Sequence, residues 1–335
     1  MADAPLRVCI FGAGAIGGFV AAHLARVGGL EVSVVARGAH LAAIRARGLR
    51  VVSPKGELQA RVRASDRAEA LGPQDVVFIA LKQHQVAAAL PDLATLIGPE
   101  TKVVPPTTGI PYWYFHGLHG PNRDRQVERL DPGGAQWRTL TPERAIGCVY
   151  WVATEVVEPG VVRHDGRLLR FPIGEPDGRT SVRLQRFADA MNAAGLNAPI
   201  VPDIRAWIWA KMISSLSWNP LAVLSGASLD RLTADPAVVG LVRRLMREAE
   251  QVAEALGIGR WPITTDERIA AAGNAGAHTM SMLQDWQQGR PLEVDVLVDS
   301  IMAMRELAGL QTPTIDAVYG LLRLRTASAS AATGG

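Results

Sequence analysis

A chain of 335 residues exceeds the usual size of one domain, so two domains, each able to bury a core, are expected. Hydrophobic residues make up 48% and charged residues 20%, yet no uninterrupted apolar run reaches the ~18 residues that cross a bilayer, which excludes a membrane-spanning helix. The net charge of +3 is carried by scattered basic residues, so nucleic acid is not an expected partner, and a small anionic ligand is left open.

From Arg7 to about Val104, apolar strands alternate with helical stretches through short loops, the pattern of a parallel sheet covered by helices. Residues 8–11, 31–36 and 75–81 read as strands, 15–27 as a helix, and 102–104 as the beginning of a further strand. Residues 117–142 are rich in Gly, Pro and charge and read as a loop or hairpin excursion. Strand-like pieces return at 145–154, 161–163 and 168–173, before a helix at 182–194. Two prolines between Asn197 and Asp203 mark a boundary. Beyond it, helical periodicity runs at 204–224, 236–256, 265–288 and 292–307, with a last helix from Thr314. The small polar tail, 326–335, is expected to be disordered. The start, MADAPLRVCIFGAG, lacks the order of a secretory signal, so the cytoplasm is the expected location. Cys9 and Cys148 lie in apolar stretches without CxxC spacing and read as buried reduced thiols.

Gly12-Ala13-Gly14-Ala15-Ile16-Gly17 fits G-x-G-x-x-G, directly after an apolar strand and at the opening of a helix. In that setting Gly12 allows the tight turn, Gly14 lets the backbone approach a pyrophosphate, and Gly17 lets helix and strand pack closely. The N–H groups of Ala15 and Ile16 then face the phosphates at the positive end of the helix. Arg37 stands where an enzyme specific for NAD usually carries an acid, which favours NADP(H) through the adenosine 2′-phosphate, with His40 able to assist. A solvated arginine is the alternative. Lys82 follows the strand 75–81 and so lies at the carboxyl edge of the sheet, where ligands collect, unless it is only a loop lysine. The fold class is therefore expected to be α/β: residues 1–202 read as a Rossmann-type doubly wound domain suited to NADP(H), and 203–325 as an all-helical domain.

Between Trp207 and Leu224 the sequence WIWAKMISSLSWNPLAVL holds one charged residue, Lys211. A helix apolar around its circumference is buried, and a lysine there loses hydration, which lowers its pKa toward values useful for proton transfer. Snorkelling to the surface is the alternative. Ser215 and Asn219 follow at spacings of four and eight on the same helical face. Further on, His278, Ser281 and Asp285 are expected along one side of a helix, and Glu293, after Gly289-Arg290-Pro291, in the first turn of the next. No grouping of His, Cys and acids has ligand spacing, so no metal is expected.

GAGAIGG at 12–18, LKQHQ at 81–85, WAKMISSLSWNPLAVLSG at 209–226 and HTMSMLQDWQQGRPLEVD at 278–295 resemble, in order and across nearly the whole chain, the motifs of the ketopantoate reductase (2-dehydropantoate 2-reductase) family. The resemblance implies NADPH-dependent reduction of a 2-oxo acid substrate, the reaction of pantothenate biosynthesis. It also implies Lys211 as catalytic lysine, Glu293 as its partner carboxylate, and Ser281, Asn219, Ser215 and His278 as substrate contacts. Lys82, Gln85 and Thr108 would lie on the cofactor side. Three places depart from the pattern: Thr107-Thr108 stands for Gln-Asn, Ser215 for Asn, and His278 for a frequent Asn. The lost carboxamides, and the aromatic run Tyr112-Trp113-Tyr114-Phe115, leave open a larger or more hydrophobic 2-oxo acid or a packed loop. Reduction of another ketone or imine, or a non-catalytic NADP(H)-binding regulator, are the competing readings. The helical domain offers apolar surface suited to a homodimer, indistinguishable in sequence from core.

Overall fold

The computed structural model describes residues 4–333, with side chains through residue 328. They fall into two compact units: residues up to Thr107 with Pro111–Ile204, and Thr108–Ile110 with the chain from Arg205 onward.

In the first unit β1 (Leu6–Phe11), α1 (Ala15–Leu24), β2 (Leu30–Val35), α2 (Gly38–Arg47), the hairpin β3 (Leu49–Ser53) and β4 (Gly56–Ala60), and β5 (Arg63–Ser65) precede β6 (Gln74–Ile79), α3 (Gln83–Ala94) and β7 (Ile97–Val104). The main sheet is parallel, in the order β5-β2-β1-β6-β7. Ile10 pairs with Val34 on one side and Phe78 on the other, and all three are buried. Central strands packed on both faces are continuous apolar runs, which is why VCIF and VVFI show no alternation. The chain turns one way from β1 and the other way to β6, so the carboxyl ends of those two strands form the switch point where such sheets bind ligands.

The segment 117–142, expected as a loop or hairpin, holds no strand; it is a series of turns ending in a 3-10 turn at Pro132–Gly134 and the short helix α4 (Ala135–Leu140). Asp131 organises it by accepting the N–H groups of Gln136 and Trp137, each at 2.8 Å. β8 (Gly147–Cys148), β9 (Trp151–Glu158), β10 (Val161–Arg170) and β11 (Ile173–Gly174) follow. A second sheet, β4-β3-β10-β9, joins the early hairpin to these late strands, a pairing between segments far apart in sequence. α5 (Val182–Ala193) is capped by Ser181, whose hydroxyl accepts the Leu184 N–H at 3.2 Å.

The second unit is helical: α6 (Ile204–Ser225), α7 (Leu229–Ala234), α8 (Pro236–Ala255), α9 (Thr265–Gly273), α10 (Ser281–Gln287), α11 (Val294–Ala308) and α12 (Pro313–Thr333). The single helix expected over 265–288 is two, because Gly273-Asn274 and Gly276 at φ 60° break it. The tail expected to be disordered from Thr326 continues α12 to Thr333, its alanines being strong helix formers. Pro220 within α6 has no N–H for the Leu216 carbonyl, and the Tyr319 hydroxyl donates to that oxygen instead at 3.2 Å. Among the described residues no helix is long and apolar enough to cross a membrane.

Candidate active site

The three glycines of the turn after β1 divide the work as the motif requires. Gly12 sits at φ 101°, and a Cβ there would lie 2.9 Å from the Leu81 side chain and 3.1 Å from the Ala80 carbonyl. Gly17 packs so closely that a Cβ would overlap the Gly12 carbonyl and come within 2.8 Å of the Ala80 side chain. Gly14, the N-cap of α1, faces open space within 4 Å, and no side chain caps that helix. Ala15 and Ile16 are partly exposed beside it, so the first turn of α1 presents backbone N–H groups to an incoming phosphate.

Arg37 is the N-cap of α2, just past the end of β2, with 74% of its side chain exposed and only a 3.4 Å contact to Asp92 of α3. An exposed pair of this kind is weak and readily exchanged for a phosphate. His40 is not available to assist it. Its Nδ1 accepts the Gly160 N–H at 3.0 Å, which leaves the proton on Nε2, and Nε2 donates to the Ala13 carbonyl at 2.6 Å. His40 therefore clamps the glycine turn from behind, a role that needs two distant backbone partners and is invisible in sequence. Lys82 caps α3 at the carboxyl end of β6, and Gln85 spends its side-chain oxygen on the Lys82 N–H at 3.1 Å, a helix cap. Beyond β7, Thr107 is buried with a hydroxyl that has no hydrogen-bond partner among the described residues, while Thr108 is half-buried and belongs to the helical unit.

α6 shows why one lysine matters. Every residue from Ile204 to Val223 is buried except Lys211, Ser214 and Ser215, so the helix opens to solvent through one polar window. Ser214 turns its hydroxyl back onto the Ala210 carbonyl at 2.9 Å. Removal of water pushes the Lys211 ammonium below the ordinary lysine range, and the charge of Glu293 pulls it part of the way back. Glu293 is the N-cap residue of α11 and makes no capping bond with its side chain. One turn beyond Ser215, Asn219 is 5% exposed and accepts the Met282 N–H at 3.3 Å, fixing the start of α10, where Ser281 is the exposed first residue.

His278 is not on a helix with Ser281 and Asp285: it lies in the link 274–280, its carbonyl accepting the Leu229 N–H at 3.0 Å. Asp285, 7% exposed, holds the Arg290 guanidinium at 2.7 Å and belongs to the turn that leads to Glu293. The aromatic run Tyr112, Trp113, Tyr114 and Phe115 is core, each residue at most 4% exposed, so it provides no wall for a ligand.

Two family models match this architecture: "Ketopantoate reductase PanE/ApbA" over residues 8–110, the glycine turn and the main sheet, and "Ketopantoate reductase PanE/ApbA C terminal" over 203–326, the helices that carry Lys211 and Glu293. The chain belongs to the ketopantoate reductase family. A 2-dehydropantoate 2-reductase of Mesorhizobium japonicum is 47% identical over 95% of this chain and 97% of its own. A structure described as a candidate ketopantoate reductase, from Ralstonia solanacearum, superposes with a TM-score of 0.87 at 37% identity over 97% of this chain and 98% of its own. The 2-dehydropantoate 2-reductase of Geobacter metallireducens gives 0.83 at 26% identity, over 96% and 100%. Ketopantoate reductases are NADP-dependent oxidoreductases acting on a CH–OH group, and the α/β-plus-helical fold seen here is theirs.

One residue that no motif singles out is brought forward by the structure. Ser300, 1% exposed, is a lone hydroxyl in the apolar stretch of α11, seven residues after Glu293. That spacing was the available signal.

Proposed function

We propose that this chain reduces a 2-oxo acid to the corresponding 2-hydroxy acid with NADPH, 2-dehydropantoate to pantoate being its reaction. The observation that carries the reading is the solvent window of α6: a dehydrated lysine, under the charge of Glu293, on a helix otherwise buried from Ile204 to Val223.

The residues of the first unit fit a dinucleotide. Gly14 leaves room where a pyrophosphate approaches, Ala15 and Ile16 open the uncapped start of α1, and the exposed Arg37 suits a 2′-phosphate. Gly12 and Gly17 hold the turn in shape. Lys82 and the unsatisfied Thr107 hydroxyl complete the carboxyl edge of the sheet with polar groups a bound cofactor would engage. When bound, NADPH supplies the hydride for the ketone carbon.

The protein's own chemistry is proton supply and charge stabilisation. Lys211, as an ammonium, donates a hydrogen bond to the ketone oxygen, stabilises the negative charge that develops there, and hands over its proton. Loss of hydration makes it a stronger acid than a hydrated lysine, and the charge of Glu293 opposes that shift. Ser281 is assigned to the substrate carboxylate, and Asn219, Ser215 and His278 to the remaining polar groups of the substrate. Asn219 brings Ser281 into place through the Met282 N–H. A cytoplasmic location fits the same reading, since Cys9 and Cys148 are separate buried thiols of the kind a reducing compartment preserves.

The test is loss of NADPH absorbance with a panel of 2-oxo acids that includes 2-dehydropantoate. Turnover with 2-dehydropantoate supports the reading; turnover confined to other ketones or imines moves the substrate; NADPH binding without oxidation by any acceptor supports a regulator.

A further inference from the structure

The backbone after β7 is held by the helix that bears Glu293. The Ser300 hydroxyl donates to the Val296 carbonyl at 2.7 Å and accepts the buried N–H of Ile110 at 2.9 Å, across 190 positions of sequence. Gly109, at φ 79°, lies so close that a Cβ would strike the Ser300 hydroxyl and come within 3.2 Å of the Val296 side chain and carbonyl. Glu293, Val296 and Ser300, at spacings of three and seven, share one face of α11. Thr108–Ile110 thus lies along the face whose N-terminal end carries the carboxylate partner of Lys211.

We propose that Ser300 is a positioning residue of the reductase: by satisfying the Ile110 N–H it fixes Thr108–Ile110 on α11 and so sets where Thr108 meets the cofactor. The inference rests on the reductase reading above. A buried N–H must find an acceptor, and among the described residues the Ile110 N–H finds this hydroxyl. Without it the segment shifts to regain a partner, and displacements of about 1 Å at a reacting centre lower rates by up to about a hundredfold. Gly109 makes the contact close enough to transmit the constraint, since no side chain separates the backbone from the hydroxyl.

The experiment compares Ser300→Ala, Thr108→Val and the double variant. In Ser300→Ala the dissociation constant of NADPH, titrated by fluorescence, rises about tenfold, the factor of a ~1.4 kcal/mol change, and kcat falls with it. Exchange of the Ile110 amide with solvent quickens in the substrate-free protein. The double variant shows less than the sum of the two single effects, the mark of residues acting through one another. If Ser300→Ala fails to fold, Ser300→Cys, with a weak acceptor in the same place, carries the comparison. Additive effects or an unchanged NADPH constant overturn the proposal. A wild-type protein inert toward every 2-oxo acid but with a protected Ile110 amide sinks the reductase reading and leaves Ser300 with a merely structural bond.

Discussion

Replacing Lys211 by methionine removes the ammonium but keeps a stem of similar length against the apolar face of α6, so packing survives while the donor is lost. The size of the effect follows from the window: of the residues from Ile204 to Val223 that reach solvent, Lys211 alone carries a charge, and Ser214 already bonds within the helix. A positioned general acid contributes roughly 10²–10⁴-fold, so kcat should fall by about 10³, or ~4 kcal/mol of transition-state stabilisation. The dissociation constant of NADPH should not move, because the glycine turn belongs to the other unit. Steady-state NADPH oxidation at saturating substrate measures the first, fluorescence titration the second, and a thermal melt confirms folding. A folded variant that keeps more than about a tenth of the wild-type kcat would refute the proton-donor role. The pH dependence gives an independent check. Burial lowers the Lys211 pKa from the ordinary 10.5, so kcat declines as pH rises through a value below 10.5. In Glu293→Gln the charge that raises that pKa is gone, and the declining limb moves to lower pH. Between the lowered value and 10.5 the unfolded chain binds more protons than the folded one. Wild-type stability relative to Lys211→Met should therefore rise with pH across that window, and be lowest below it.

Arg37→Asp should shift preference from NADPH toward NADH, read as the ratio of kcat/KM values for the two; an unaltered ratio rejects the 2′-phosphate contact. Gly14→Ala and Gly17→Ala should part company: the first meets open space at an ordinary φ and leaves the melting temperature unchanged while weakening NADPH binding, whereas the second overlaps the Gly12 carbonyl and destabilises the fold itself. His40→Phe leaves the Gly160 N–H and the Ala13 carbonyl without their partner, at a cost of about 1–3 kcal/mol in stability, and should also weaken NADPH binding by loosening the turn; unchanged affinity would leave His40 a role in stability alone.

Much of this was written locally. Unbroken apolar runs at residues 8–11 and 76–81 specify central parallel strands, the glycine spacing specifies a phosphate turn, and a single charge in the eighteen-residue apolar stretch 207–224 marks Lys211, because burial, turn geometry and helical period are properties of neighbours in the chain. Helix ends were less legible: Gly276 breaks the stretch that carries His278, and the alanines after Thr326 extend a helix where small polar composition suggested none. Tertiary structure alone decided that His40 spans Ala13 and Gly160, that Tyr319 repairs the carbonyl freed by Pro220, that the aromatic run is core, and that Ser300 holds Ile110. The hydrogen bonds among these join groups dozens to hundreds of residues apart. Such hydrogen bonds leave no period or spacing in the sequence, since they arise only when folding removes water from a donor or acceptor and some distant group happens to be there to replace it.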